Sequence, residues 1–371
     1  MKKASLVLTT INVPDLLYGY ADNFEKYGHK DEVEFIVVGD RKTPEEAKEP
    51  IRALRARGFQ AELLDITMQE QWLKRFPDLN EIIPYNSDNR RNIGYLIAVE
   101  RGAEIVISID DDNYAMDDDF LEGHKIVGSV KELKTAHSSN NWFNICTALE
   151  TDPQRTIYPR GFPYSKRWSD DAHFTVSSGR IMMNAGLWLN DPDVDAVTRL
   201  NEPLRVVGVN QDRFMLAPGV YSPINSQNTA FHRDTLPCYY FITMDAVING
   251  SRIDRYGDIW SGFFAVKVIQ SMNDCVSVGP PTANHVRNKH DLLDDLQIEL
   301  GGMILTEELV PIIEAAEISA DTYAKTYLNL AKEIEEKVSS DGNFTPDARK
   351  YFYQITAAMK IWVDVCKEIM R

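Results

Sequence analysis

The sequence predicts an α/β fold with a C-terminal helical extension, and three observations carry that expectation. Short apolar runs alternate with helix-like stretches through the first third, an acidic triplet follows the fourth run, and about seventy residues at the end are helical in composition.

The runs "ASLVLTT", "VEFIVVG", "AELLDI" and "AEIVISI" are rich in Val, Ile and Leu and almost unbroken in apolarity, as strands covered on both faces are. Helices are expected between them at 14–27, at 44–57 with Pro44 opening the first turn, and at 88–102 with Gly102 closing it. Such alternation implies right-handed crossovers and a parallel sheet. From about residue 140 to about 300 it gives way to loops rich in Gly, Pro, Asn and aromatics, the stretch expected to carry substrate specificity. "LTEELVPIIEAAEISADTYAKTYLNLAKEIEEKV" is helical in composition, and a further helix starts with Thr345 as N-cap and Pro346 in its first turn. Ile355, Met359, Trp362 and Cys366 recur at three- and four-residue spacing, an apolar stripe read as core packing.

Composition narrows the function. The 371 residues are 44% hydrophobic and 26% charged, ordinary globular values, and the formal net charge of −16 argues against binding nucleic acid or an anionic membrane. Cys146, Cys238, Cys275 and Cys366 lie far apart with no zinc-like spacing and are read as reduced thiols. "MKKASLVLTT" has the lysines of a signal segment, but its apolar stretch soon breaks and no cleavage site follows. With no run of roughly 18 apolar residues either, no integral membrane segment is expected, and the localisation expected is cytoplasmic.

Ligands of an open parallel sheet collect beyond the carboxyl ends of its strands. Asn12 and Asp40 follow the first two runs and form a nucleotide-facing rim, and "IVISIDDDNYAMDDDF" places Asp110, Asp111 and Asp112 at a third such end. No frame of that stretch supplies the ligand spacing of an EF-hand calcium loop. Alternate residues of an extended segment point the same way, so Asp110 and Asp112 can face one cavity while Asp111 turns elsewhere or reaches a sugar hydroxyl. Two converging carboxylates suit Mn2+ or Mg2+, hard ions that complete their shell with substrate phosphates, as in enzymes of nucleotide sugars. A solvated acidic loop is the bland alternative. Asp117 to Asp119 are read as helix capping. Arg90, Arg91 and Asn92, at the start of a helix, are candidates for the nucleotide diphosphate.

Downstream, "RGFPYSKR", "GLWLNDPDVDAVTRL", "NTAFHRD" and "DRYGDIWSGFFAVKVI" follow one another in an order and spacing that resemble the reversibly glycosylated polypeptide family, the UDP-arabinopyranose mutases. The family reads close to RGYPFSLR, GLWLNxPDYDAPTQL, NLAFDRD and RYDDMWAGWCxKVI, after a strand ending in DDD. The resemblance covers roughly residues 85 to 290 and is closest over Gly186 to Leu200; Gly257 and His232 stand where the family has acidic residues.

The resemblance implies a GT-A (nucleotide-diphospho-sugar transferase, Rossmann-like) catalytic domain over 1–300, a helical extension over 301–371, and Mn2+ on the DDD motif. It further implies interconversion of a UDP-sugar between pyranose and furanose rings, with reversible glycosylation of an arginine. The matching arginine is Arg160, and Arg167 matches the second arginine of that motif; Asp258 and Trp260 match the D-x-W element. His285 matches a family histidine and is expected to add a metal or phosphate contact, with His290 as the weaker alternative. Asp193 and Asp195 are expected on sugar hydroxyls, and Trp188 and Trp260 in the core or as aromatics that stack on sugar or uracil. Arg160 is read as the attacking group, with Asp258 or the departing phosphate taking its proton, or else as a phosphate clamp, the ordinary role of a guanidinium. A GT-A transferase acting on a separate acceptor and a non-catalytic nucleotide-sugar-binding scaffold are the competing readings, and a homo-oligomer is left open.

Overall fold

The apolar runs become four adjacent parallel strands, β1 (Ala4–Thr10), β2 (Val33–Gly39), β3 (Gln60–Leu64) and β4 (Ile105–Ile109), in the order β3-β2-β1-β4. The computed structural model describes residues 3–168, 171–244, 246–288 and 290–371. Beyond β4 the sheet becomes mixed. Asn228–His232 pairs antiparallel with β4 and with the long strand His173–Asn190, which in turn has Cys275–His285 running parallel beside it.

Each face of the sheet is covered, which is why its first four strands read as apolar throughout. On one face Leu6, Leu8, Phe35 and Val37 pack with Leu17 and Phe24 of helix Leu16–Lys26 and Ile51 of helix Lys48–Ala56. On the other, Val7, Ile36, Val38 and Val106 pack with helix Arg91–Glu100 and join a core reaching into the C-terminal helices. Gly94 lets that helix approach closely, since a Cβ there would stand 2.5 Å from Val7 and 2.8 Å from Val38. The approach brings Arg90 and Arg91 to the carboxyl ends of β1 and β4.

The middle of the chain is more regular than expected. The strand His173–Asn190 has 18 residues, and helix Gly257–Ser271 is buried on nearly every side. A helix apolar all round shows no 3.6-residue stripe, and a strand exposed in its first half and buried in its second shows no single alternation.

The C-terminal run is two helices, Leu292–Ala315 and Tyr323–Ser340, followed by Pro346–Ile369, where Thr345 caps as expected by accepting from the Ala348 N–H at 3.3 Å. Positions 300 and 301 lie inside the first of these, so the segment boundary drawn from sequence falls within a helix. Ile355, Met359, Trp362 and Cys366 are all buried in the main core, and the Trp362 indole donates to the Leu236 carbonyl at 2.9 Å. All four cysteines are free. Among the described residues no helix is long and apolar enough to cross a membrane.

Candidate active site

Two cavities lie beyond the carboxyl ends of the parallel strands and share a wall made of Asp88, Asp110 and Asp112. The first, about 340 Å3, is bounded by Thr10 and Asn12 after β1, Asp40 after β2, and Arg90, Arg91 and Asp111. The second, about 160 Å3, is bounded by Arg160, Asp193, Asp258 and His285 together with Arg199, Arg255, Arg287 and His290. Chain reversal at the end of each strand delivers these polar groups, because the apolar pattern stops where the sheet does.

In the first cavity the Asp111 carboxylate accepts from the Thr10 hydroxyl at 2.6 Å and the Asn12 amide at 3.1 Å. Asp40 accepts from the backbone N–H groups of Arg41 at 2.7 Å and Ser87 at 3.1 Å, which joins the β2 end to the loop before Arg90. Arg90 is buried, donates to the Gln69 amide oxygen at 2.7 Å, and lies over the Tyr85 ring. Its buried Nη2 has no hydrogen-bond partner among the described residues.

Arg91 is tied to Asp110 at 2.7 Å and also donates to Ser226. Burial alone would lower the Arg91 guanidinium, but Asp110 outweighs it and the group is raised. Desolvation, opposed by Arg91 and reinforced by Asp112, holds the Asp110 carboxyl above its ordinary value. Asp88 is open to the cleft yet pushed up to about 6 by desolvation, with Asp258, Asp254 and Asp110 repelling its charge and Arg91 favouring it.

Asp112 and His285 form the next pair, Nε2 to Oδ2 at 3.3 Å, while His285 Nδ1 meets the Asp191 carbonyl at 2.6 Å. Burial works to raise Asp112 and to lower His285, but their mutual hydrogen bond wins, so the carboxyl is held below and the imidazole above its usual range. Among the described residues no group of three or more His, Cys, Asp and Glu side chains stands ready-made as a metal cage. Of Asp110, Asp112 and His285, the residues expected as ligands, Asp110 is engaged by Arg91 and Asp112 by His285.

Arg160 sits between two carboxylates from distant segments. Its Nε and Nη2 meet Asp193 at 2.9 and 3.1 Å, and Nη1 and Nη2 meet Asp258 at 3.3 and 3.1 Å. Nη1 also donates to the Arg255 carbonyl, so each of the five N–H groups of the guanidinium has a partner. Burial would lower Arg160, and Asp193 and Asp258 overcome it to hold the group well above its ordinary value. Asp193 shows the converse: burial would raise it, and Arg160 holds it well below the carboxylate range.

A carboxyl depressed on folding contributes stability above its unfolded value of about 3.9, and that contribution is lost as pH falls toward the folded value. The gap in melting temperature between the wild type and Asp193→Asn is therefore expected to be widest at neutral pH and to shrink as pH drops below about 4. Calorimetric scans across pH 2 to 7 measure it, and a gap that grew in acid would contradict the assignment.

Five expected site residues stand away from both cavities. The Asn92 amide is consumed by the Phe241 backbone, giving to its carbonyl and accepting from its N–H, both at 2.9 Å. Asp195 caps helix Ala196–Asn201 through the Thr198 N–H at 2.8 Å and binds Arg167 at 2.6 Å, which itself lies over the Tyr164 ring. Trp188 is buried behind Asp193, and Trp260 is buried against Phe352 with its indole donating to Thr306 at 2.9 Å. Packing claims these groups, so they brace the cleft walls and do not line them.

Asp88, Arg199, Arg255 and Arg287 line the second cavity and were not singled out from sequence. Asp88 stands two residues before Arg90, and Arg255 and Arg287 adjoin the D-x-W element and His285, so adjacency to the motifs was their available signal.

The family model described as "Reversibly glycosylated polypeptide" matches residues 7–370. A probable UDP-arabinopyranose mutase 1 of Pisum sativum is 28% identical, with 98% of this chain and 90% of the relative covered. UDP-arabinopyranose mutase 1 of Oryza sativa subsp. japonica is 27% identical over the same shares, 98% and 90%. A crystal structure of glucosyl-3-phosphoglycerate synthase from Mycobacterium tuberculosis, in complex with Mn2+, UDP-glucose and phosphoglyceric acid, is 15% identical with a TM-score of 0.40, covering 82% of this chain and 78% of the other. Because the family match runs through nearly every residue of both cavities and of the helices behind them, this chain belongs to the reversibly glycosylated polypeptide family.

Proposed function

We propose that this chain is an enzyme that interconverts the pyranose and furanose forms of a UDP-sugar. The observation that carries the reading is the shared wall of Asp88, Asp110 and Asp112, which joins a cavity at the strand ends to a smaller one that ends on Arg160. The names of the plant relatives support the reaction class. In a site of GT-A type, Asn12, Asp40 and Asp111 face the nucleoside, Arg90 and Arg91 the diphosphate, and the second cavity the sugar.

Asp112 and His285 fit a divalent cation. Nδ1 gives its proton to the Asp191 carbonyl, so a cation arriving between Nε2 and Asp112 would take the place of the proton those two atoms share, with Asp110 the adjacent carboxylate. Mn2+ or Mg2+ held there would neutralise charge on the departing diphosphate.

Arg160 has no N–H left for a phosphate clamp unless a bond to Asp193, Asp258 or Arg255 breaks, and attack on a sugar needs one of the same bonds to give way; on the glycosyl-arginine route Asp258 is the base already in place. An Nη nitrogen bonds to the anomeric carbon as the carbon–oxygen bond to phosphate breaks; UDP leaves with the electron pair, and the Nη proton passes to Asp258. The nitrogen lone pair then expels the ring oxygen, which takes that proton. A different hydroxyl closes on the anomeric carbon, returning a proton to Asp258, and UDP displaces the reprotonated arginine. The high proton affinity of Arg160 opposes this attack, and the Asp258 oxygens already on its Nη protons let transfer accompany bond formation.

UDP-arabinopyranose and a small panel of other UDP- and dTDP-sugars, incubated with the protein and Mn2+ and resolved by chromatography, are expected to give a new isomer without free UDP. UDP release only on addition of an acceptor would replace this reading by a glycosyltransferase, and binding without either change would leave a scaffold.

A further inference from the structure

The second cavity has a basic wall for which the ring chemistry above has no use. Arg199 and Arg287 face it, with Arg255 and His290 beside them. Arg287 and His290 rest on Asp295 at 2.6 and 3.2 Å, and Arg255 is held by the buried Glu299 at 2.7 Å with Asp295 at 3.7 Å. Arg199 reaches only Asp191, at 3.3 Å, and the Pro192 carbonyl, and its buried Nε has no hydrogen-bond partner among the described residues. Burial, and then the like charge of Arg287, lowers the Arg199 guanidinium. Each arginine of the wall has a carboxylate partner, so what the wall lacks is an acceptor for the Arg199 Nε, and a buried guanidinium with an unmade hydrogen bond is costly until an acceptor joins it.

We propose that Arg199 and Arg287 receive a carboxylate carried by the sugar, so that the substrate is a nucleotide-linked uronic acid. The inference rests on the nucleotide-sugar reading of the cleft. A planar guanidinium matches a carboxylate with two donors, whereas a neutral hydroxymethyl group offers a single, weaker acceptor. The same guanidinium groups would also take a phosphate, so the diphosphate of the nucleotide is the other source of the anion.

Calorimetric titration of the full chain in Mn2+ with UDP, UDP-galactose and UDP-galacturonic acid separates these. The wild type is expected to bind the uronate roughly tenfold or more tightly than the neutral sugar, the scale of one charge-assisted contact. Arg199→Gln is expected to erase that preference while keeping its affinity for UDP. Equal wild-type affinity for the two sugars would overturn the inference, and so would a folded Arg199→Gln protein that loses affinity for all three ligands alike, which would assign the arginines to the diphosphate. Failure of the wild type to bind any of the three would instead overturn the nucleotide-sugar reading, and this inference with it. Thermal melts report folding, and Arg287→Gln repeats the test if Arg199→Gln does not fold.

Discussion

Replacement of Arg160 by glutamine is expected to lower isomer formation roughly a thousandfold or more and to destabilise the protein by about 3–5 kcal/mol. Both effects have one origin. The guanidinium neutralises Asp193 and Asp258, and without it two carboxylates with little access to water face each other. Double replacement, Arg160→Gln with Asp193→Asn, removes the repulsion and is expected to restore much of the stability but none of the turnover. Denaturant melts and product chromatography on the same samples read the two quantities separately. If Arg160 is the attacking group, mass spectrometry after incubation with UDP-sugar and Mn2+ finds the sugar mass on the peptide containing Arg160. An unmodified peptide, with turnover intact, would assign it a purely electrostatic part.

Asp112→Asn is expected to weaken binding of UDP in Mn2+ roughly tenfold or more, on the scale of one charge-assisted contact. Chelation of the cation from the wild type is expected to do the same, and the two treatments are not expected to add. The carboxylate stands beside Nε2 of His285, so the amide variant leaves that nitrogen opposite a weaker partner and removes one negative charge from the wall shared by both cavities. Titration calorimetry with and without chelator measures each arm. Wild-type affinity for UDP that is indifferent to Mn2+ would remove the metal from the reading.

Much of the parallel half of the sheet is legible in sequence because burial on both faces leaves four apolar runs that only strands of that length explain. The same logic locates Asn12, Asp40 and Asp110 to Asp112, since polar residues that follow such runs must emerge at the strand ends. Trp260 shows where it stops. The D-x-W element names Asp258 and Trp260 together, yet two residues along a helix turn the side chain by roughly 200°. Asp258 therefore reaches the cleft while Trp260 enters the core against Phe352. Asp195 and Arg167 are a second instance: two separate motifs supply them, and they satisfy one another at 2.6 Å away from the cavities.

The amino-acid order alone determined the four parallel strands, where the chain leaves that half of the sheet, and which family the middle motifs belong to, because those properties are local or periodic. Only the tertiary structure decided that Arg160 lies between Asp193 and Asp258, which are 33 and 98 residues away in the chain, and that the arginines near His285 and the Asp195-capped helix line one small cavity. Charge pairing between such distant segments leaves no spacing to read; it exists only once the sheet has brought their ends together and excluded the water that would otherwise screen them.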